Sequence, residues 1–246
     1  MTAAPRSTRP AVPEGRRIYA IGDVHGRADL LARLLADIIS DGKRHRESEK
    51  RIVFLGDYVD RGPESKRVID LVLDAAPPGF AVTALKGNHE ELMLRFLDEL
   101  AVARTWMFNG GDATLASYGV KPTGLFASTE AFEAAQADLN AKLPERHRDF
   151  LMRLPLNHVE GDYYFVHAGV RPGVPLAQQK SEDLLWIRDE FLESPADFGK
   201  VVVHGHSIVP IPVQRPNRID VDTGAFATGQ LTCVVLDGTT RDFLHT

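Results

Sequence analysis

Three times before residue 104 the chain runs through one pattern: a short apolar run, a stop at glycine beside an acidic or amide residue, then an amphipathic stretch. Arg17 to Ile21 stops at Gly22-Asp23, Arg51 to Leu55 at Gly56-Asp57, and Phe80 to Leu85 gives way to Gly87-Asn88. Runs this short, bounded by turn residues, read as strands. Leu30, Leu31, Leu34, Leu35, Ile38 and Ile39 recur at helical spacing after the first run. A second helix, about Glu64 to Ala75, is expected after Pro63, since proline suits a first helical turn. A third is expected from Glu90 to Ala103. Strands joined by helices pack as right-handed βαβ units, which predicts an α/β fold. In open α/β sheets ligands bind beyond the carboxyl ends of the strands, and here each such end carries Asp, Asn or His.

The second half reads differently. Helices are expected around Glu130 to Lys142 and Glu145 to Leu154. Strands are expected at Asn157 to Glu160, Tyr163 to Val166, Val201 to Val203, Arg218 to Val221 and Leu231 to Leu236, between turns such as Glu160-Gly161-Asp162 and Asp237-Gly238. The expected architecture is an αββα sandwich, two mixed β-sheets face to face with helices outside, in a single domain over 17–246. Residues 1–16, with Pro5, Pro10, Pro13 and several arginines, are expected to form a disordered leader. No apolar run approaches the roughly 20 residues of a membrane helix, and the first residues lack the apolar stretch of a signal peptide. A cytoplasmic protein with no membrane partner is expected.

Five short motifs close strands: Gly22-Asp-Val-His-Gly26, Gly56-Asp-Tyr-Val-Asp-Arg-Gly62, Gly87-Asn-His-Glu90, His167-Ala-Gly169 and Gly205-His206. The single cysteine, Cys233, excludes a disulfide framework, a cysteine zinc site and an iron–sulfur cluster within one chain. Aspartate, histidine and asparagine remain as ligands, a mixture that suits manganese, iron or zinc. A Gly-Asp pair after a strand is by itself usually a turn, and a lone histidine beside an apolar run usually packs in a core. Five such motifs in one chain, each at a strand end, are not explained that way. Lys plus Arg number 29 against 34 Asp plus Glu, a net charge of −5, so no nucleic-acid partner is expected.

The set GDVHG, GDYVDRG, GNHE, HAG and GH resembles the calcineurin-like metallophosphoesterase superfamily, and within it the bacterial and phage phosphoprotein phosphatases. The resemblance spans Ile18 to about Leu236. It implies a metallophosphoesterase sandwich with two divalent metal ions, most simply manganese. One would be held by Asp23, His25 and Asp57. The other would be held by Asp57, Asn88, His167 and His206. Many superfamily members carry a further histidine two residues after the GH motif; here that position is Ile208, as in the phosphoprotein phosphatase branch. The resemblance also implies in-line attack on phosphorus by a hydroxide that two metals generate. His89 would be the general acid, with Asp60 orienting it. Arg61 matches the family's phosphate-binding arginine, and Arg188 resembles its second one; Asn88 would also face substrate. A guanidinium fork matches two phosphoryl oxygens. Without the resemblance, Arg188 would read as a surface partner of Asp189 or Glu190.

His204 is left out of the ligand set. Trp106 to Tyr118 reads equally as part of a substrate groove or as a capped loop with a core tryptophan. His45, His147, His158 and His245 lie outside any motif. The expected activity is phosphomonoester hydrolysis, on phosphoserine and phosphothreonine in proteins or on a small phosphoester. Symmetrical dinucleoside tetraphosphatases are the alternative; that branch typically has a GDLVARG-like motif and GNHD. A non-catalytic scaffold on the same fold would be expected to lose ligands or the His–Asp pair, and both are present.

Overall fold

A computed structural model describes residues 9–246. Strand and helix alternate at the start: β1 (Arg16–Ile21), α1 (Ala28–Arg44), β2 (Glu49–Phe54), α2 (Ser65–Leu73), β3 (Phe80–Ala84) and α3 (Asn88–Phe96). A helical segment follows, with α4 (Ala103–Phe108), α5 (Gly111–Ser117), α6 (Thr129–Lys142) and α7 (Glu145–Arg153). The remainder runs β4 (Asn157–Glu160), β5 (Tyr163–Val166), α8 (Ser181–Trp186), α9 (Asp189–Leu192), β6 (Val201–His204), β7 (Val213–Gln214), β8 (Arg218–Asp220), α10 (Ala225–Thr228), β9 (Thr232–Asp237) and β10 (Thr240–His245).

Two mixed sheets result, ordered β10-β9-β1-β2-β3 and β4-β5-β6-β8-β7. β1, β2 and β3 pair parallel, as do β5, β6 and β8; the flanking strands are antiparallel. Ile18–Ile21 of β1, Ile52–Phe54 of β2, β5 and Val201–Val203 of β6 are apolar and buried because both faces are covered. In β1, Ile18 and Ala20 point between the sheets, where they meet Phe165, Val203 and Ile219. Tyr19 and Ile21 point the other way, into a core with Leu31, Leu34 and Phe96 from the helices. A third cluster, with Val202, Leu184 and Phe191, covers the outer side of the second sheet. No helix among the described residues is long and apolar enough to cross a membrane.

Two expectations need correction. The third helix stops at Phe96 rather than Ala103; Glu99 is extended and a single 3-10 turn over Leu100–Val102 leads into α4. The break lets Trp106 return against Phe96, ring centroids 4.8 Å apart. Of the expected leader over 1–16, residues 1–8 lie outside the described residues. Within the rest, Ala11 donates to Asp162 at 3.0 Å, Val12 donates to the Gly238 carbonyl at 3.0 Å, and Val12 is buried. That stretch is fastened to turns of both sheets, because Val12 has an apolar slot to fill and its backbone has partners.

Candidate metal centre

The loops that close β1, β2, β3, β5 and β6 meet at one end of the sandwich. They bring together Asp23, His25, Asp57, Asn88, His89, His167 and His206, all buried. His25, Asp57, Asp60, Arg61 and His206 have left-handed backbones, with φ of 44°, 53°, 72°, 66° and 66°, and no other described non-glycine residue has positive φ. Such conformations cost about 1–3 kcal/mol each and cluster where a side chain must be aimed. All five are residues that the motifs single out. Two glycines serve close approach: a Cβ on Gly87 would sit 2.1 Å from Asp57 Oδ1, and one on Gly205 2.1 Å from Asp23 Oδ1.

His25 Nδ1 lies 2.8 Å from the Val59 carbonyl and His167 Nδ1 lies 3.1 Å from the Leu55 carbonyl. A carbonyl only accepts, so each Nδ1 carries the proton and each Nε2 presents a lone pair, the arrangement of a metal-ligating histidine. Asp57 stands between them, with Oδ2 3.4 Å from His25 Nε2 and Oδ1 3.4 Å from His167 Nε2. His167 Nε2 is also 2.8 Å from Asn88 Oδ1 and 3.1 Å from His206 Nδ1. Two groups, His25–Asp57–His89 and Asp57–His167–His206, each hold their donor atoms within 4.8 Å of one another. A nitrogen lone pair and an amide oxygen at contact distance repel unless a cation lies between them. The donor set and Asp57's membership of both groups fit a pair of divalent metals.

Charge agrees with this geometry. Burial pushes the His25 and His167 imidazoles down and His206 down to about 2, so all three stay neutral and able to ligate. Burial alone would raise Asp57, but the imidazoles that ring it, His167 first, take up protons in the same low pH range, and their charge there holds it well below the usual carboxylate range. Burial, then the carboxylates of Asp222 and Asp57, push Asp23 up. Asp23 accepts the His206 backbone N–H at 3.1 and 3.3 Å. The structure thus places Asp23 against the His206 backbone and brings His89 to the His25–Asp57 pair, its Nε2 3.8 Å from Asp57 Oδ2.

His89 Nδ1 is 2.7 Å from Asp60 Oδ2. Asp60 is completely buried and accepts from Trp106 Nε1 at 2.9 and 3.1 Å and from Thr114 Oγ1 at 2.6 Å. The Trp106–Tyr118 segment therefore clamps the carboxylate behind His89. Burial pulls the His89 pKa down, but the charge of Asp57 and the Asp60 hydrogen bond outweigh it and raise it. Glu90 is a further residue whose part the sequence did not reveal. Its Oε2 accepts from the N–H groups of Asp57 and Gly87, both at 2.9 Å, and its Oε1 from those of Tyr58 at 2.7 Å and Val59 at 3.2 Å. One carboxylate thus fastens the loop of the shared ligand to the start of α3.

Arg61 reaches the same place, with Nη1 2.9 Å from His25 Nε2 and Nη2 3.2 Å from His89 Nε2. Arg188 donates to the His206 carbonyl at 3.0 Å and to Ser207 Oγ at 3.2 Å. Its alternative partner Glu190 is taken by Arg171 instead. His204 points away from the centre, toward Arg218 at 3.2 Å and the Phe191 ring. Ile208 is half exposed beside Gly224.

The sequence model of the calcineurin-like phosphoesterase family matches residues 16–231. A protein of Salmonella typhimurium named serine/threonine-protein phosphatase 1 is 27% identical over 224 residues, covering 88% of this chain and 90% of that protein. An asymmetrical bis(5'-nucleosyl)-tetraphosphatase of Bacillus cereus is 27% identical over 232 residues, covering 86% and 87%. Among solved structures, a candidate diadenosine tetraphosphatase superposes with a TM-score of 0.62 at 19% identity, covering 96% of this chain and 98% of that one.

Proposed function

Since the chain belongs to the calcineurin-like phosphoesterase family, we propose that it is a manganese-dependent phosphomonoesterase acting on phosphoserine and phosphothreonine in proteins. The observation that carries this reading is the His89–Asp60 pair, 2.7 Å apart, buried, and clamped by Trp106 and Thr114 beside Asp57. Asp23, His25 and Asp57 would hold one metal, and Asp57, Asn88, His167 and His206 the other. When bound, two such ions supply positive charge at the phosphoryl oxygens and lower the pKa of a water for attack on phosphorus.

The chain's own residues supply the rest. Arg61 and Arg188 offer guanidinium forks to the phosphoryl oxygens, and Asn88 faces the same space. A serine or threonine alkoxide is a poor leaving group and needs a proton as the P–O bond breaks. His89 Nε2 delivers it, while Asp60 accepts from Nδ1 and stabilises the imidazolium that precedes transfer; such proton transfer contributes about 10²–10⁴-fold in rate. A nucleotide leaving group needs that proton less, which is why the clamped pair favours the monoester.

A nucleotide substrate is the second reading. It is supported by relatives named as asymmetrical tetraphosphatases, whereas the symmetrical reaction is the one weighed from the motifs. The manganese-loaded protein, assayed on phosphoserine, phosphothreonine and phosphotyrosine peptides, diadenosine tetraphosphate and a phosphodiester, separates the two. Highest kcat/KM on phosphoserine or phosphothreonine is expected; preference for the tetraphosphate would overturn the protein-phosphatase reading.

A further inference from the structure

The two arginines assigned to phosphate differ from others in what holds them. Arg17 is paired with Asp41 and Asp237, Arg146 with Asp70, and Arg171 with Asp183 and Glu190. Arg188 is held by a carbonyl and a hydroxyl. Among the described residues no carboxylate pairs with Arg61; its Cζ lies 4.8 Å from the centroid of the Phe226 ring. That ring is itself fixed. It sits in α10 after Gly224, whose left-handed backbone (φ 67°) turns the chain. Arg27 Nη1 donates to the Ala225 carbonyl at 3.0 Å, and Thr228 Oγ1 donates to the carbonyls of Thr223 and Gly224 at 2.9 and 3.1 Å. The Phe226 ring also meets His25 edge-on, centroids 5.6 Å apart at 85°.

We propose that Phe226 is a positioning residue for anion recognition, its ring face aiming Arg61 at the phosphoryl group without neutralising it. The proposal rests on the phosphoesterase reading and adds a device within that site. A carboxylate would hold the guanidinium more firmly, but it would cancel the charge that an incoming phosphoryl group needs and occupy the N–H fork. An aromatic face attracts the cation through its quadrupole and uses no N–H donor. The fork stays free to turn from the imidazoles to an anion while its plane is kept at the mouth of the centre. Phe226 lies 165 residues from Arg61, and α10 joins β8 to β9, so the two meet only through the sandwich.

The test compares Phe226→Leu, which keeps apolar bulk without a ring, with Phe226→Tyr, which keeps the ring. In manganese-loaded protein the inhibition constant of inorganic phosphate is expected to rise about three- to thirty-fold in Phe226→Leu and to stay near wild type in Phe226→Tyr. In an Arg61→Ala background, Phe226→Leu is expected to add no further loss. A second readout needs neither metal nor turnover: in the metal-free protein, ring-current shifts of the Arg61 side-chain protons are expected in wild type and Phe226→Tyr and absent in Phe226→Leu. Wild-type phosphate affinity in Phe226→Leu, an equal loss without Arg61, or unshifted Arg61 protons in wild type would each overturn the proposal while leaving the phosphoesterase reading intact. A wild-type protein that with manganese neither binds phosphate nor cleaves any phosphoester would overturn that reading, and this proposal with it.

Discussion

Glu90→Gln keeps shape and volume and removes one acceptor oxygen from a carboxylate that serves four backbone N–H groups. Whichever way the new amide sits, its NH₂ faces a pair of donors: Asp57 and Gly87, or Tyr58 and Val59. Each buried donor left without an acceptor costs about 1–3 kcal/mol, so the pair costs about 2–6 kcal/mol. The loop can escape part of that cost by letting Asp57 leave its left-handed backbone at φ 53°. Doing so moves the carboxylate that both donor groups share. The cost therefore divides between stability and metal affinity, with each 1.4 kcal/mol on the metal side read as about a tenfold weaker manganese constant. Urea unfolding of the metal-free protein and manganese titration measure the two parts. Glu90→Asp, which keeps both oxygens but withdraws them by about one bond length of 1.5 Å, is expected to fall between wild type and Gln. If Glu90→Gln matches wild type within about 0.5 kcal/mol and binds manganese equally well, the carboxylate does not hold the loop.

Other substitutions test other ties. Trp106→Phe removes the indole donor to Asp60, a charge-assisted bond of about 1.5–3 kcal/mol, and is expected to lower phosphomonoester kcat about 10- to 100-fold with unchanged metal content; an unchanged kcat would mean that the indole does not steady the acid. Arg188→Ala is expected to weaken inhibition by free phosphate with little effect on folding, and an unaltered inhibition constant would remove it from the phosphate site. Chelation is expected to abolish hydrolysis and manganese to restore it; full activity after chelation would sink the two-metal reading. His147, buried between the Tyr118 hydroxyl at 2.9 Å and Asp70 at 3.0 Å, has its pKa lowered chiefly by burial, with Asp70 opposing. The unfolded chain takes up a proton there near pH 6.5 and the folded chain does so only at lower pH, so this site's stability is present above about pH 6.5 and falls as the pH drops below it. His147→Gln is expected to flatten that fall; equal slopes of unfolding free energy between pH 7 and 5 would refute it.

Residues on strand ends were legible in the sequence because a strand end is a local pattern. An apolar run, a glycine and a polar side chain are contiguous, and α/β topology carries every such end to one side. The same locality explains the errors. Leu92, Met93, Phe96, Leu100, Ala103 and Met107 continue a helical spacing, so nothing local marks the break after Phe96 that turns Trp106 inward. β10 escaped notice although Asp237-Gly238 is a hairpin signal, because Thr240–His245 is half exposed and carries little apolar alternation. The leader escaped because a single buried side chain, Val12, pins a stretch whose composition reads as solvated.

The same division separates the two halves of the candidate site. Groups that would hold metal come from strand ends, and the His25 and His167 imidazoles are oriented by the carbonyls of Val59 and Leu55 in the neighbouring loop. Of the groups that would meet the anion, Arg188 comes from the α8–α9 junction, and short insertions steady the strand-end groups: α4 and α5 hold Asp60, and α10 faces Arg61. These contacts cross 46 and 54 residues from Asp60 to Trp106 and Thr114, so no window of sequence contains both partners. A strand end cannot shift without disturbing a sheet packed on both faces, whereas a short surface helix can be re-aimed at little cost to the core. Substitutions in α4, α5, α9 and α10 should therefore change what the anion site accepts while leaving metal affinity in place, and Glu90, which ties a strand-end loop to α3, should do the reverse.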